Sequence, residues 1–318
     1  MTDKNKIFAA AIVGPTGVGK TKTSVLLAKR INAQIVSADS MQIYKNMDIG
    51  TAKASEDEMC GVKHYMLSVA EPWEEYNVVR YVSEAKEAVN EIFENGFFPL
   101  VVGGTGLYAD ALLNGTDFSV TANDEEYREY LKKTAEEKGS EYLLDMLAEF
   151  DKESAERLHP NNVRRIIRAI EFYKTTGKPI SKHQEETKRV ESRYNPLMIC
   201  IDWDRDVLYD RINRRVDIMI KSGLLEEVKC LMDMGYTQEL NSMKGIGYKE
   251  LFNYFDGKTS LDETKELIKK NTRHFAKRQL TWFRREKDVT MLNIDEFNYD
   301  RLKVLNEMLN FLKNKEII

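Results

Sequence analysis

Residues 7–13, Ile-Phe-Ala-Ala-Ala-Ile-Val, form an unbroken apolar run closed by Gly14, the pattern of a strand buried on both faces of a parallel sheet. From Lys20 to about Ile31 the apolar positions recur at helical spacing. Gln34 to Ser37 predicts a second strand, Val78 to Asn95 an amphipathic helix, and Phe98 to Val102 a third strand closed by Gly103 and Gly104. Strands alternating with helices in this way predict a parallel sheet with right-handed crossovers.

After Asn114-Gly115 the pattern changes. Asp124–Lys138, Ser140–Phe150, Lys152–Leu158 and Asn162–Thr175 all predict helices, and no strand candidate follows until the apolar run at 197–201. That run would return the chain to the sheet. The organisation expected is a core built from residues 1–114 and 196–318, interrupted by a helical insertion at 115–195. Beyond the insertion come helices near 205–221 and 223–234, a turn at Gly245 and Gly247, a long helix near 260–285 and a last helix near 299–313.

Composition narrows the class without choosing a function. With 318 residues, 42% hydrophobic and 31% charged, the chain can bury a sizeable core, and disorder or a solenoid is excluded. No apolar run reaches the roughly 18–20 residues that span a bilayer, so no membrane partner is expected. Cys60, Cys200 and Cys230 lie far apart with no zinc-ligand spacing, and His64, His159, His183 and His274 show none either. The cysteines are read as reduced thiols, and the location expected is cytoplasmic. The net charge of −4 is uninformative, but its distribution is not: Asp124–Arg157 carries −6, whereas Asn161–Arg193 carries +5 and Glu263–Lys287 carries +6. Two basic segments in an acidic protein suggest a local polyanion site, although solvated helix faces would give the same counts.

The first motif that carries chemistry is Gly14-Pro-Thr-Gly-Val-Gly-Lys20-Thr21, which matches G-x-x-x-x-G-K-[ST] between a buried strand and a helix. Its glycines let successive N–H groups turn toward phosphate oxygens, Lys20 supplies a charge to the terminal phosphates, and the Thr21 hydroxyl suits a magnesium ion. Gly14, Pro15, Thr16, Gly17, Val18, Gly19, Lys20 and Thr21 are thus the expected polyphosphate-binding residues. The fold class expected is α/β: a P-loop NTPase-like core with a parallel sheet, plus an inserted all-helical domain. The loop fits nucleotide (ATP) binding or a free or leaving diphosphate equally well. No acidic residue follows the third strand to complete an ATP site. Asp39 directly follows the second strand, at the sheet edge where ligands bind in open α/β folds. Local sequence leaves it open whether Asp39 is a helix cap, a magnesium partner or a general base.

From Asp39-Ser-Met-Gln-Ile-Tyr44 and Asp48-Ile-Gly-Thr-Ala-Lys53 onward the chain resembles the tRNA dimethylallyltransferase (tRNA isopentenyltransferase) family in its bacterial form. Gly103-Gly-Thr-Gly-Leu-Tyr108, Leu158-His-Pro-Asn161, Asp204-Arg205 with Leu208-Tyr209, and Gly223-Leu-Leu-Glu-Glu-Val228 continue the series in family order. Ile246-Gly-Tyr-Lys-Glu250, Thr272-Arg-His-Phe-Ala-Lys-Arg-Gln279 and Thr281-Trp-Phe-Arg284 complete it. Lys63-His64 departs from the paired histidines frequent in the family.

The resemblance implies transfer of a dimethylallyl group from dimethylallyl diphosphate to N6 of the adenosine just 3′ of the anticodon, with magnesium as cofactor and diphosphate, not ATP, in the loop. It implies Asp39 as general base, Thr105 as a substrate contact in the catalytic set, and Arg215 at a position linked to the diphosphate. Ser40, Met41 and Gln42 align with a segment that meets the flipped base. Arg164, Arg165 and Arg168 share one side of a helix whose Ile166, Ile167 and Ile170 pack inward, which suits contacts with RNA phosphates. With Arg128, Arg273, Lys277 and Arg278 they make up the expected contacts with the tRNA anticodon loop. Phe275 and Trp282 are expected in the core, and Asp202, Asp204 and Asp206 are read as helix-capping and not metal-binding. The chain is expected to act as a monomer. The competing readings are a small-molecule kinase using ATP in the same loop and an RNA-binding protein with a vestigial loop.

Overall fold

The computed structural model describes residues 7–115, 124–188, 194–286 and 288–318. Its elements up to the insertion are β1 (Ile7–Val13), α1 (Lys20–Arg30), β2 (Ala33–Ser37), α2 (Glu56–Met59), β3 (His64–Tyr65), α3 (Val78–Glu94), β4 (Phe98–Gly103) and α4 (Gly106–Asn114). Five helices follow: α5 (Glu125–Lys138), α6 (Ser140–Ala148), α7 (Lys152–Arg157), α8 (Val163–Thr176) and α9 (Ile180–Lys188). The chain then runs through β5 (Tyr194–Asp202), α10 (Arg205–Lys221), α11 (Leu224–Asp233), α12 (Tyr248–Phe255), α13 (Leu261–Phe283), β6 (Val289–Asn293) and α14 (Arg301–Asn314).

The strands form one parallel sheet in the order β3-β2-β4-β1-β5-β6. β1 lies between β4 and β5, with Ala11 opposite Val101 on one side and Met198 on the other. This double burial is why its sequence is continuously apolar, and Ala9 to Val13 are at most 1% exposed. On one face of the sheet the core joins Ile12, Leu27, Ile35, Leu100, Ile199 and Leu208 with Val304 and Met308 of the last helix. Because every strand is parallel, the carboxyl ends of β1, β2 and β4 meet at one edge, the edge that carries both the glycine loop and Asp39.

The chain separates into two compact units, Met1–Leu113 with Arg193–Ile318, and Asn114–Ser192. The second unit is helical. Leu131 of α5, Leu143 and Leu147 of α6, and Ile166 and Ile170 of α8 form its core. Its capping follows local chemistry: Asp124 accepts from the Tyr127 N–H and Asp151 from the Ser154 N–H. The expected insertion also takes in residues 116–123 and 189–193, and the second basic stretch ends at Lys287; these lie outside the described residues.

Periodicity did not reveal α2, α4, α9, α12, β3 or β6. β3 has only two residues. β6, Val-Thr-Met-Leu-Asn, is an edge strand in which Leu292 alone is buried, so it lacks the apolar run that marks the central strands.

Inside the helical unit, Arg128 forks onto Glu171, with Nε and Nη2 donating to the two carboxylate oxygens at 2.9 and 3.2 Å. Glu171 is 2% exposed while the arginine side chain is 35% exposed. Removing the arginine strands a buried carboxylate, so Arg128→Ala is expected to cost about 2 kcal/mol, below the fully buried range because water reaches one partner. Chemical denaturation checks this; a change under about 0.5 kcal/mol would assign the pair no structural weight.

Candidate active site

The loop between β1 and α1 is shaped by Gly14, Gly17 and Gly19, all at positive φ (142°, 83° and 94°), where a side chain would be strained. Its outer face is held by groups from distant elements. The Arg211 Nε donates to the Gly17 carbonyl at 3.0 Å and the Trp203 indole N–H to the Val18 carbonyl at 2.9 Å. The Thr16 N–H donates to Gln279 Oε1 at 2.9 Å. Lys20 folds back over the loop, its ammonium donating to the Gly14 and Pro15 carbonyls at 2.9 Å each. Burial pushes the Lys20 ammonium down to about 8, although Asp39 acts to raise it, and Arg215 lowers it further.

Asp39 sits in the turn after β2. Its Oδ1 accepts from the Met41 N–H at 2.9 Å and, more weakly, from the Gln42 N–H at 3.4 Å, while Oδ2 has no protein hydrogen bond among the described residues. One oxygen therefore fixes the carboxylate and the other is left as an acceptor. The next turn of the sheet edge locks this geometry. Thr105, just past β4, receives the Ser40 N–H at Oγ1 (3.0 Å), and its own N–H donates to the Ala38 carbonyl at 3.1 Å.

Arg215 of α10 is the third member. Burial lowers its pKa, while Glu58 and Asp39 act in the opposite direction and Arg211 adds to the lowering. Asp39 thus acts electrostatically on both Lys20 and Arg215. Cations desolvated beside a glycine loop and a helix N-terminus form a site that favours a polyanion, because an added anion relieves their mutual repulsion. A free carboxylate oxygen beside them supplies a proton acceptor. The arrangement can bind a diphosphate and deprotonate a neighbouring nucleophile.

The model of the family described as IPP transferase matches residues 42–286, and a model described as isopentenyl transferase matches residues 7–75. The chain belongs to the IPP transferase family. It is 50% identical over 307 residues to a tRNA dimethylallyltransferase of Lachnoclostridium phytofermentans, covering 96% of this chain and 98% of the relative. Among solved structures it is similar to a full-length tRNA isopentenylpyrophosphate transferase from Bacillus halodurans, with TM-score 0.72, 43% identity and 98% of each chain covered. A eukaryotic dimethylallyltransferase solved acting on tRNA gives TM-score 0.76 at 29% identity, over 90% of this chain and 74% of that one. The core is P-loop NTPase-like, with the helical unit inserted between α4 and β5.

In this IPP transferase family member Lys20, Thr21, Asp39, Thr105 and Arg215 lie in one unit around the sheet edge. Asp39 caps no helix, because the next helix begins only at Glu56; its Oδ1 closes a local turn through the Met41 and Gln42 N–H groups. Other expected RNA contacts already hold protein partners. Gln42 Nε2 donates to the Thr51 and Ala52 carbonyls at 3.2 Å, Arg273 donates to Asn213, and Arg128, expected as an RNA contact, is engaged by Glu171. Arg164, Arg165 and Arg168 are exposed, as is Lys277, and none has an ion pair among the described residues. Arg278 lies 5.7 Å from the Phe275 ring centre. Asp204 caps α10 through the Asp206 N–H, and Asp202 pairs with Arg284 at 2.8 Å. Among the described residues no three acidic, histidine or cysteine side chains are grouped to hold a metal.

Sequence reasoning missed the supports. Glu227 collects the N–H groups of Asp48, Ile49 and Gly50 at 2.9, 2.7 and 3.0 Å and the Tyr248 hydroxyl at 2.6 Å, which pins the segment following the Asp39 turn. Burial, then Glu227, pushes the Tyr248 phenol up, so it stays a hydrogen-bond donor. Glu227, Tyr248, Trp203 and Gln279 fall inside or beside family motifs, but spacing gives them no chemical role. A cavity of about 430 Å³ also opens where β5 and β6 end, with Trp203, Arg205, Lys277 and Arg284 in its wall.

Two outcomes follow from the packing. A methyl group at residue 103 would lie 2.0 Å from the Ala38 carbonyl oxygen, backbone that cannot yield without breaking the β2–β4 ladder. Gly103→Ala should therefore destabilise the chain by about 3 kcal/mol or more, checked by thermal unfolding; wild-type stability would refute the close approach. Burial also pushes the Cys200 thiol up to about 12, whereas Cys60 and Cys230 are exposed. Alkylation of the native protein at mildly alkaline pH should label Cys60 and Cys230 and spare Cys200, as peptide mass spectrometry would show. Equal labelling of all three contradicts the burial.

Proposed function

We propose that this chain transfers a dimethylallyl group from dimethylallyl diphosphate to N6 of the adenosine immediately 3′ of the anticodon in tRNA, releasing diphosphate. The observation that carries the reading is the pairing of a phosphate loop with a carboxylate whose Oδ2 is free. A kinase would also use a carboxylate base, but it needs in addition an acidic magnesium partner at the end of a neighbouring strand, and β4 ends in Val102-Gly103-Gly104 with none. As the N6–C1 bond of the prenylated base forms, the C1–O bond to diphosphate breaks, the electron pair goes to the leaving oxygen and the N6 proton goes to Asp39 Oδ2. The loop N–H groups, Lys20 and Arg215 bind the leaving group as its charge grows.

The Thr21 hydroxyl opens the first turn of α1, half-buried and without a hydrogen bond among the described residues, so it is an oxygen donor suited to magnesium. Bound there with diphosphate oxygens, the ion would supply further charge neutralisation for the leaving group. Thr105 positions the Asp39 turn. The exposed face of α8 and Lys277 on α13 contact tRNA phosphates, and Ser40 and Met41 meet the base. No helix among the described residues is long and apolar enough to cross a membrane.

Mass spectrometry of tRNA nucleosides after incubation with enzyme, magnesium and dimethylallyl diphosphate tests the activity. Prenylated adenosine is expected; unchanged adenosine, or phosphate transfer from ATP instead, overturns it. Asp39→Asn should lower the single-turnover rate ~10²–10⁴-fold while tRNA affinity stays nearly constant. An unchanged rate would leave Asp39 only as the residue that closes its own turn.

The Lys20 pKa gives a pH dependence with a definite sign. The charged form binds diphosphate, so affinity is full below a pH of about 8 and falls as pH rises through that value. The bound anion favours the ammonium, so binding about one unit higher in pH takes up a proton. Calorimetry in buffers of different ionisation enthalpy reads this uptake, and Lys20→Ala should remove it. Charge reversal at Arg164, Arg165 and Arg168 should weaken tRNA binding and reduce its salt dependence by about two to three ions. An unchanged slope would make α8 a solvated face.

A further inference from the structure

We infer that Gln279 is a positioning residue for the transfer reaction: its amide locks the phosphate loop to the β4–α4 turn and so sets the spacing between leaving group and base. Gln279 lies on α13, 6% exposed, with no role in the chemistry above. Its Oε1 accepts the Thr16 N–H at 2.9 Å, and its Nε2 donates to the Gly104 carbonyl at 2.8 Å. The orientation is determined, since a backbone N–H can only donate and a carbonyl can only accept. A carboxylate of the same shape would turn the second contact repulsive, and an apolar side chain would lose both.

What this amide joins are the two halves of the site. On one side is the loop that faces the diphosphate. On the other, Gly104 leads directly into Thr105, which bonds Ala38 and Ser40 and through them the Asp39 turn. A continuous series of bonds thus runs from Thr16 through Gln279, Gly104, Thr105 and Ser40 to the base. The backbone at 104 is fitted to the amide: a methyl group there would lie 2.3 Å from Gln279 Nε2. One turn further along α13, Trp282 seats against Gly106, where a methyl group would lie 2.2 Å from the ring. The helix therefore grips the β4–α4 turn twice and the phosphate loop once.

The proposal rests on the prenyl-transfer reading, and its test separates the two. Gln279→Met and Gln279→Glu are compared with wild type by single-turnover transfer, by equilibrium binding of dimethylallyl diphosphate and of tRNA, and by amide hydrogen exchange. Each substrate still meets its own half of the site, so both affinities should stay within about threefold while the transfer rate falls ~10²-fold, the penalty of misplacing reactants by about an ångström. Exchange should quicken in residues 14–19 and 103–106 together. Gly104→Ala, which displaces the amide from the opposite side, should give the same split, and combining it with Gln279→Met should add little. A normal rate, or a rate lost only in step with diphosphate affinity, overturns the positioning role. Unchanged exchange in either segment overturns the lock itself, without reference to activity. Wild-type enzyme that transfers no prenyl group would instead refute the functional reading, leaving the exchange result to decide the lock.

Discussion

The carbonyl oxygen of Ala38 occupies the space that any side chain on residue 103 would need. This close approach of the ends of β2 and β4 is the constraint on which the site depends. It lets the Ala38 N–H bond the Val102 carbonyl at 2.8 Å and lets Thr105 bond both Ala38 and Ser40, so the Asp39 turn is fixed to a central strand instead of hanging on a loop. β4 in turn lies against β1, whose end carries the phosphate loop. Parallel pairing thus converts a register in the sheet into a fixed separation between a carboxylate and a set of cations.

Those cations are held against their own preference. Lys20 and Arg215 are both desolvated; Arg215 disfavours the charge on Lys20, and Arg211 disfavours that on Arg215. Arg211 is pinned between the loop carbonyl of Gly17 and the face of Trp203, 4.3 Å from the ring centre. Such crowding disfavours the empty site and favours a bound polyanion. The Gly14 and Pro15 carbonyls accept from the Lys20 ammonium. The electrostatic cost is local and is offset by packing elsewhere, as in the apolar layer on one face of the sheet.

How much of this was legible in the sequence depended on range. The phosphate loop was readable because strand, glycines, lysine and helix are contiguous, and the arginine face of α8 because its isoleucines repeat at helical spacing. Asp39 was ambiguous for a physical reason: turn-closing and base roles use different oxygens of one carboxylate, and no string of letters separates Oδ1 from Oδ2. The ion pair of Arg128 was not legible because its partner lies 43 residues away, and nothing local marks Glu171 as buried. Gln279 was invisible as a functional residue because its two partners lie 263 and 175 residues distant. β6 escaped notice because an edge strand with one buried side chain has no distinctive pattern.

In the proposed transfer the bond between Thr105 and the Asp39 turn acts by position and not by binding. Thr105→Val removes the hydroxyl at nearly constant shape, and Thr105→Ser restores it. Single-turnover prenyl transfer at saturating tRNA and dimethylallyl diphosphate is the direct measurement. The valine variant should be ~10²-fold slower, with most of the rate recovered by serine. A valine variant as fast as the native enzyme would contradict it.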